Sequence, residues 1–337
     1  MKLGLIGWYN HANYGDDRIL YCLKKVFMGY DIFIVNGWED ARLKIQELNK
    51  CDYILIGGGG LVLGNCWKNA DIILNLKKPF GLIGISIEIQ HISKKMNEFL
   101  NLIKEKGEFI LVRDKASRER LNYHYKVIVG PDLTFLSPFN LVSETKSDFC
   151  GINLREWHYW QGDPFGYYYF LMKTINNTLP IVQRIYPLSK WEPDKVIEII
   201  KKNFKIIVPI PLYFEKNTTN DVCILLKYFS NVSQKFDIDA FSNIRYLVGM
   251  RFHSIIFAIQ CGIPFISLSY QPKNISLCSD MNLDVCSLNI YRTEKLENKI
   301  EYIKDHYKRI KEQIISYRQK SIYEIKYIFQ SLLHLIK

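Results

Sequence analysis

The strongest constraint on the fold is a regular alternation of strand-like and helical patterns along residues 1–140. The strand-like runs are short and apolar, with turn or polar residues beside them, and a strand–helix–strand order favours right-handed crossovers and a parallel sheet. We predict one α/β domain here. Its strands are expected at 3–6, 32–35, 53–56, 81–85, 109–112 and 127–129. Its helices are expected at 17–27, 40–48, 68–76, 93–103 and 116–121.

A second α/β domain is predicted for residues 147–292, after an aperiodic, polar linker at 137–148 that contains Pro138. A chain of 337 residues also exceeds the length at which one core usually divides. The fold class is therefore two Rossmann-like domains with mainly parallel sheets and an active-site cleft between them. Strands are expected at 150–154, 205–210, 246–248 and 265–268, and helices at 167–175, 194–202, 221–229 and 252–260.

Residues 293–337 carry apolar side chains at helical spacing, with Lys and Arg at other positions. This pattern predicts basic amphipathic helices that pack across the two domains. Peripheral contact with a membrane surface is the alternative use of such a face.

The charge balance favours an anionic partner, because 45 Lys and Arg exceed 34 Asp and Glu by 11. A phosphorylated metabolite, a nucleic acid and a membrane surface all fit that charge. The basic residues are dispersed and form no recognised nucleic-acid module, so nucleic-acid binding is not expected.

Eight cysteines without a CxxC pair make a zinc site or a disulfide framework unlikely in this chain, and no metal is expected. The apolar run 3–6 is too short for a signal peptide, and no run reaches the roughly 18 to 20 apolar residues of a membrane helix. We expect a reduced, cytoplasmic protein, with association at the inner face of the membrane as a further option.

Parallel sheets bind ligands at the carboxyl ends of their strands, which directs attention to the segments that follow each predicted strand. The first such segment contains Asn13, Asp16 and Asp17, and it has more polar residues than a plain turn requires. The next contains four consecutive glycines, 57–60, which suggest close approach of the backbone to a ligand or to another segment. Neither a dinucleotide fingerprint nor a Walker loop is present.

The fifth predicted strand ends in Arg113, where a guanidinium could bind a carboxylate or a phosphate. Pairing with neighbours at the surface is the structural alternative. Asp132 follows the last strand of this domain, where it could cap a turn or face the cleft.

The clearest site signal is a strand that ends at Gly249 and leads, through Arg251, into a helix that contains His253. Two potential cations beside the free N–H groups of a helix start predict an anion-binding site. Between Asp239 and Asp280 the sequence has no acidic residue, whereas Lys273 adds a further cation. We therefore expect a cationic wall that suits a small, densely charged anion.

The sequence resembles the polysaccharide pyruvyl transferase family through the order and spacing of several motifs. They are 13–17 (NYGDD), 57–61 (GGGGL), 112–114 (VRD) with Ser117, 129–132 (VGPD), 151–155 (GINLR), 250–253 (MRFH), and 269–270 (SY) with Lys273. Two positions depart from the family pattern: Asp17 replaces the more frequent Glu, and Phe252 replaces the more frequent Leu.

The resemblance implies a fold of the glycosyltransferase B type and a reaction without a cofactor. In that reaction phosphoenolpyruvate donates a pyruvate ketal to two hydroxyls of a sugar or of a lipid-linked oligosaccharide, in exopolysaccharide or capsule biosynthesis. It implies catalytic roles for His253, Arg251 and Arg113, and donor binding by Arg251, Arg113, Lys273, Phe252 and Ser254. It implies acceptor binding by Asn13, Asp16, Asp17, Gly58, Gly59, Asp132, Asn153 and Arg155.

Two other functions are compatible with the sequence. A nucleotide-sugar glycosyltransferase of the same shape would hold a diphosphate at the helix after Gly249. A noncatalytic glycan-binding protein would bind sugar without consuming a donor, and it would leave Arg251 and His253 unused.

Overall fold

The computed structural model describes residues 1–63, 65–88, 92–143, 148–157, 191–216 and 220–336. Within these residues it contains two parallel sheets with helices packed against them. The two-domain α/β prediction is confirmed. The helix predicted at 167–175 lies outside the described residues.

The first sheet has six parallel strands in the order β2-β1-β3-β4-β5-β6. Its strands are β1 Lys2–Gly7, β2 Asp31–Asn36, β3 Tyr53–Leu63, β4 Phe80–Glu88, β5 Ile110–Val112 and β6 Val127–Val129. Its helices are α1 Tyr14–Val26, α2 Gly37–Leu43, α3 Ile45–Leu48, α4 Ala70–Asn75, α5 Lys94–Lys106 and α6 Lys115–Arg120. The central strands β3 and β4 are almost entirely buried, as expected for a sheet covered on both faces.

The second sheet has five parallel strands in the order β11-β10-β9-β7-β8. Its strands are β7 Phe149–Asn153, β8 Ile206–Pro209, β9 Tyr246–Gly249, β10 Phe265–Ser269 and β11 Ser287–Asn289. The helices that follow in the chain are α7 Pro193–Asn203, α8 Asp221–Leu225, α9 Asp239–Ser242, α10 Phe252–Cys261, α11 Pro272–Asp280, α12 Leu296–Asp305 and α13 Tyr307–Ile336.

Both strand orders contain a point where the direction of the sheet order reverses. The reversal falls between β1 and β3 in the first sheet and between β7 and β9 in the second. Ligands of open α/β sheets bind outside the carboxyl ends of the strands at such points. The segments after β1, β3, β7 and β9 are therefore the ones that the topology selects for a site.

The glycine run lies within a strand and not in a loop, contrary to the prediction that the strand ends at residue 56. Strand β3 continues to Leu63, and its pairing with β4 shifts between Gly59 and Val62. Positive φ angles at Gly57, Gly58 and Gly59 distort the strand without breaking its pairing. A Cβ on Gly57 would lie 1.9 Å from the carbonyl oxygen of Ile83, so the neighbouring strand requires glycine there.

The loop after β1 joins the two domains directly. The backbone N–H of Tyr14 donates to the carbonyl of Leu212 at 2.9 Å, and the N–H of Phe214 donates to the carbonyl of Ala12 at 2.9 Å. These two bonds form an antiparallel bridge between Asn13 and Tyr213. The start of α1 is thereby held against the second domain.

Helix α13 contacts both domains. Near its start, Tyr307 packs edge-on against Tyr246 of β9, and near its end Phe329 lies beside Phe27, directly after α1. Between them, the guanidinium of Arg318 donates to the carbonyls of Gln260 and Phe139. The predicted amphipathic pattern is thus used for packing along the length of the helix.

Candidate active site between the two domains

The centre of the site is His253, which lies on the first turn of α10. Its side chain contacts Asp132 of the first domain. The Nε2 atom of His253 lies 3.5 Å from Oδ2 of Asp132. The ring also packs against the backbone of Gly15, where a Cβ would lie 2.0 Å from Nδ1 of the histidine. Glycine at position 15 therefore permits the close approach of α1 to α10.

Asp132 follows β6 and is fixed by several donors. Its Oδ1 accepts hydrogen bonds from the N–H of Thr134 at 3.0 Å and from the hydroxyl of Thr134 at 2.7 Å. Its Oδ2 accepts a bond from Nη1 of Arg113 at 3.0 Å. Burial acts to raise the pKa of Asp132, but His253, Arg113 and the Thr134 hydroxyl outweigh it and hold that pKa well below its usual range. Asp132 is therefore an ionised carboxylate.

Arg113 extends from the end of β5 into the same buried region. Its Nε donates to the hydroxyl of Ser86 at 3.0 Å, and its Nη2 lies 3.9 Å from Oε1 of Glu88. Burial alone would lower the pKa of Arg113, yet Asp132 and Glu88 raise it overall. The guanidinium thus remains charged at the boundary between the domains.

Phe252 and Lys273 of the second domain contact Arg113 and Glu88 of the first domain. The ring of Phe252 lies 4.7 Å from the guanidinium carbon of Arg113 and 5.7 Å from Nζ of Lys273, which gives two cation–π contacts. Nζ of Lys273 also donates to Oε1 of Glu88 at 2.8 Å. Glu88 consequently binds cations from both domains.

Asp16, on the first turn of α1, is a second buried carboxyl near His253. Its Oδ2 accepts a hydrogen bond from the amide of Asn13 at 2.6 Å. Burial raises the pKa of Asp16 to about 6, and the nearby His253, Arg113 and Lys273 act in the opposite direction. Asp16 therefore lies within the electrostatic influence of residues that the resemblance assigns to the donor.

Arg251 lies in a separate buried ion pair. Its guanidinium binds Asp221 at 2.6 to 2.7 Å and lies over the ring of Tyr213. Asn153 holds this pair in place, because its amide donates to Asp221 and its oxygen accepts from the backbone N–H of Arg251. Asp221 opposes the lowering effect of burial on the pKa of Arg251 and raises it overall.

Arg155 follows β7 and contacts two aromatic rings. Its Nη1 donates to the hydroxyl of Tyr270 at 3.1 Å, and its guanidinium lies near the ring of Trp157. Burial would raise the pKa of Tyr270, but Arg155, Lys273 and Arg251 lower it overall. Tyr270 thus lies close enough to Arg155, Lys273 and Arg251 for their charges to act on its hydroxyl.

Four residues that were predicted to contact the donor or the acceptor make contacts within the protein. The side chain of Asn153 is fully buried and accepts a hydrogen bond from the backbone N–H of Arg251, and its contact with an acceptor stays a prediction. The hydroxyl of Ser254 is likewise buried and donates to the carbonyl of Arg251, and its contact with the donor stays a prediction. Asp17 accepts from the N–H of Asn10, and Gly58 packs against Tyr9.

The cationic wall expected from the sequence is balanced by carboxylates from other segments. Glu88 comes from the end of β4, and Asp221 opens α8. Neither residue was singled out by the sequence reasoning. Glu88 is the last residue of a buried strand whose carboxyl end faces the cleft, and that position is the signal that could have identified it.

Among the described residues, no group of three or more His, Cys, Asp or Glu side chains is arranged to hold a metal ion. All eight cysteines are free thiols. In the part of the chain that the structure covers, none of the helices combines the length and the hydropathy that a membrane crossing requires.

Solved structures with a similar fold include two UDP-N-acetylglucosamine 2-epimerases. UDP-GlcNAc 2-epimerase from Neisseria meningitidis, bound to UDP-GlcNAc, aligns with a TM-score of 0.56 at 13% identity over 99% of this chain and 100% of its own. UDP-N-acetylglucosamine 2-epimerase from Rickettsia bellii aligns with a TM-score of 0.58 at 10% identity over 100% and 97% of the two chains. At these identities the likeness concerns the fold, which is of the glycosyltransferase B-like type. No curated protein sequence matches the chain.

The chain thus has two α/β domains with the glycosyltransferase B-like fold, and the group of residues around His253 lies between them. The family model described as polysaccharide pyruvyl transferase matches residues 13–272, well over half of the chain. The protein therefore belongs to the polysaccharide pyruvyl transferase family. The matched region contains His253, Arg113, Asp132 and Asp16, and it ends one residue before Lys273.

Proposed function

We propose that the protein transfers a pyruvate ketal from phosphoenolpyruvate to two hydroxyls of a sugar in a cell-surface polysaccharide or its precursor, with release of phosphate. One observation carries this proposal: Arg113 from the first domain and His253 and Lys273 from the second meet around Phe252 and Asp132. A compact donor with a phosphate and a carboxylate requires several fixed cations at such short range.

The chemistry requires an acid, a base and stabilisation of the leaving phosphate. Protonation of the methylene carbon leaves positive charge at C2, where the first sugar hydroxyl adds and loses its proton. Phosphate then leaves with the electrons of its C–O bond, and the second hydroxyl adds at C2 to close the ring. We assign Arg113, Lys273 and Arg251 to the anionic groups of the donor, and His253 to proton transfer, with Asp132 as its orienting carboxylate.

The acceptor is assigned to the side of the cleft formed by the first loop, Gly59 and Arg155. Asn13 lies at the interdomain bridge, and Arg155 lies beside the rings of Trp157 and Tyr270, which suit the apolar face of a sugar. We further propose that the reaction takes place in the cytoplasm. With a lipid-linked acceptor, the exposed lysines and arginines of α13 would face the membrane surface.

The deciding experiment incubates the purified protein with phosphoenolpyruvate and a panel of glycosides. A mass gain of one pyruvate ketal on a glycoside, with equimolar phosphate, is the expected result. Thermal shifts with phosphoenolpyruvate, uridine diphosphate and guanosine diphosphate separate the alternatives. Stabilisation by a nucleotide but not by phosphoenolpyruvate would favour a glycosyltransferase, and sugar binding without donor consumption would favour a glycan-binding protein.

The Arg251→Lys variant tests the donor assignment with less risk to the fold than Arg251→Ala, because lysine keeps a charge beside buried Asp221. Loss of phosphate release with retained thermal stability is the expected result. Turnover equal to that of the wild type would remove Arg251 from the site.

A further inference from the structure

We propose that Asp16 is the general acid that delivers a proton to the methylene carbon of phosphoenolpyruvate. The inference rests on the proposed function and adds the residue that performs its first chemical step. The first observation is the space beside Gly59 of β3 that the carboxyl of Asp16 occupies. A Cβ on Gly59 would lie 2.6 Å from Oδ1 of Asp16, so the distorted strand β3 leaves room for that oxygen only because residue 59 is glycine.

The surroundings of Asp16 favour a proton on the carboxyl once the donor is bound. The titratable groups that act on it are Asp17 on α1, Tyr9 before α1, the imidazole of His253, and the cations Arg113 and Lys273. Without a ligand, burial raises the pKa of Asp16 to about 6 although the cations oppose it. The phosphate and carboxylate of the donor neutralise those cations, which removes the opposing effect and raises the pKa further. Asp16 is then a neutral acid beside an anionic substrate.

A second observation concerns the two carboxyls beside His253. Asp132 lies near Nε2 of the histidine and has a lowered pKa, whereas Asp16 belongs to the α1 turn that packs against Nδ1 and has a raised pKa. Two carboxyls with opposite shifts in one site are the usual arrangement for separate acid and charge-stabilising roles. His253, oriented by the ionised Asp132, is left to accept the proton of the first sugar hydroxyl.

The protons balance in this scheme. The O–H bond of Asp16 breaks, and the π electrons of the donor form the new C–H bond at the methylene carbon. The first sugar hydroxyl adds at C2 and gives its proton to His253, from which Asp16 is later reprotonated through solvent. Phosphate leaves with the electrons of its C–O bond and takes up the proton that the second hydroxyl releases. The sum is one ketal and one hydrogen phosphate.

The test compares Asp16→Asn with Asp16→Glu and with the control Asp71→Asn, which removes a carboxylate that pairs with Arg42 away from the site. The amide in Asp16→Asn has the shape and neutrality of a protonated carboxyl. The Kd for phosphoenolpyruvate should therefore stay within about threefold of wild type. Binding at that affinity also shows that the variant is folded. Turnover should fall by about 10²- to 10⁴-fold with no change in the KM of the acceptor. Asp16→Glu should retain measurable turnover with a displaced pH profile, and Asp71→Asn should turn over like wild type.

Calorimetry supplies a readout that does not require turnover. Binding of phosphoenolpyruvate near pH 7, measured in buffers of different ionisation enthalpy, should show up to about one more proton taken up by wild type than by Asp16→Asn. Equal proton uptake, or an Asp16→Asn variant that keeps a tenth or more of wild-type turnover, would overturn the inference. A raised acceptor KM with unchanged kcat would assign Asp16 to acceptor binding instead. Failure of the wild type to consume phosphoenolpyruvate would refute the proposed function itself, whatever the variants do.

Discussion

His253 of the second domain and Asp132 of the first lie 3.5 Å apart, between Nε2 and Oδ2, across the domain boundary. The same carboxylate oxygen binds Arg113 at 3.0 Å. A carboxylate that contacts both a histidine and an arginine couples the orientation of the imidazole to the position of the guanidinium. The contact between His253 and Asp132 exists only while the two domains are in contact. The geometry of the domain interface therefore sets the geometry of the candidate site.

Asp132→Asn should lower turnover by about 10²- to 10⁴-fold, because His253 loses the carboxylate that orients it. It should also reduce the free energy of unfolding by as much as about 3–5 kcal/mol, since buried Arg113 loses an ionic partner. Phosphate release and chemical denaturation measure the two effects. Asp114→Asn is the matched control: it removes a buried carboxylate that caps α6 through Ser117. Equal activity losses in both variants would argue against a special role for Asp132.

Gly15→Ala should displace the ring of His253, because the new methyl group would lie 2.0 Å from Nδ1 in the present arrangement. We expect a large loss of turnover and weaker contact between α1 and α10. Gly29→Ala is the control, since nothing lies within 4 Å of its Cβ position and only its positive φ makes the change unfavourable. Kinetics and thermal denaturation of both variants check this. A Gly15→Ala enzyme with full turnover would show that His253 can move without consequence.

The sequence was sufficient to predict most of the fold because the parallel strands are short apolar runs with local turn signals. It predicted β6 with its observed bounds, 127–129, and β1, β9 and α10 to within one residue at each end. It missed β11 and α11, and it placed the end of β3 too early. A run of glycines has low strand propensity, and the pairing of β3 with β4 that overrides this is a tertiary effect.

The candidate site was predictable only in part. The cations were recognisable because each follows a strand or opens a helix, as Arg113 and Arg251 do. Their partners were not, because Glu88 and Asp221 are far from them in sequence and belong to other strands or helices. The same holds for Asn153 and Ser254, whose polar groups could have pointed into the cleft but are used by the buried backbone and side chains of Arg251.

Glu88→Gln should strengthen the binding of phosphoenolpyruvate, because it removes a negative charge that now neutralises Lys273 and faces Arg113. At the effective dielectric of a partly buried site the gain should be about 1 kcal/mol, or roughly fivefold in Kd, with a steeper dependence on salt. Calorimetric titration at two ionic strengths measures both. Glu39→Gln, which removes the exposed partner of Arg42, should leave the affinity unchanged. Weaker donor binding in Glu88→Gln would mean that the cations need this carboxylate to stay in place.

Asp16→Asn should change how stability depends on pH. The pKa of Asp16 is about 6 in the folded protein and 3.8 in the absence of the fold, so the protonated carboxyl favours the folded state. Its contribution is fully present below about pH 4 and is lost as the pH rises through 6. Relative to Asp16→Asn, the wild type should therefore lose up to about 3 kcal/mol between pH 4 and pH 8.

Urea denaturation of both proteins across this range measures that difference. Asp71→Asn provides a control of opposite sign, because Arg42 holds the pKa of the partly exposed Asp71 below its usual value. The stability that Asp71 contributes is present at neutral pH and is lost as the pH falls, and the effect should be smaller because solvent screens the pair. Parallel stability curves for wild type and Asp16→Asn would mean that Asp16 titrates as it does in an unfolded chain, and that its burial does not hold a proton on it.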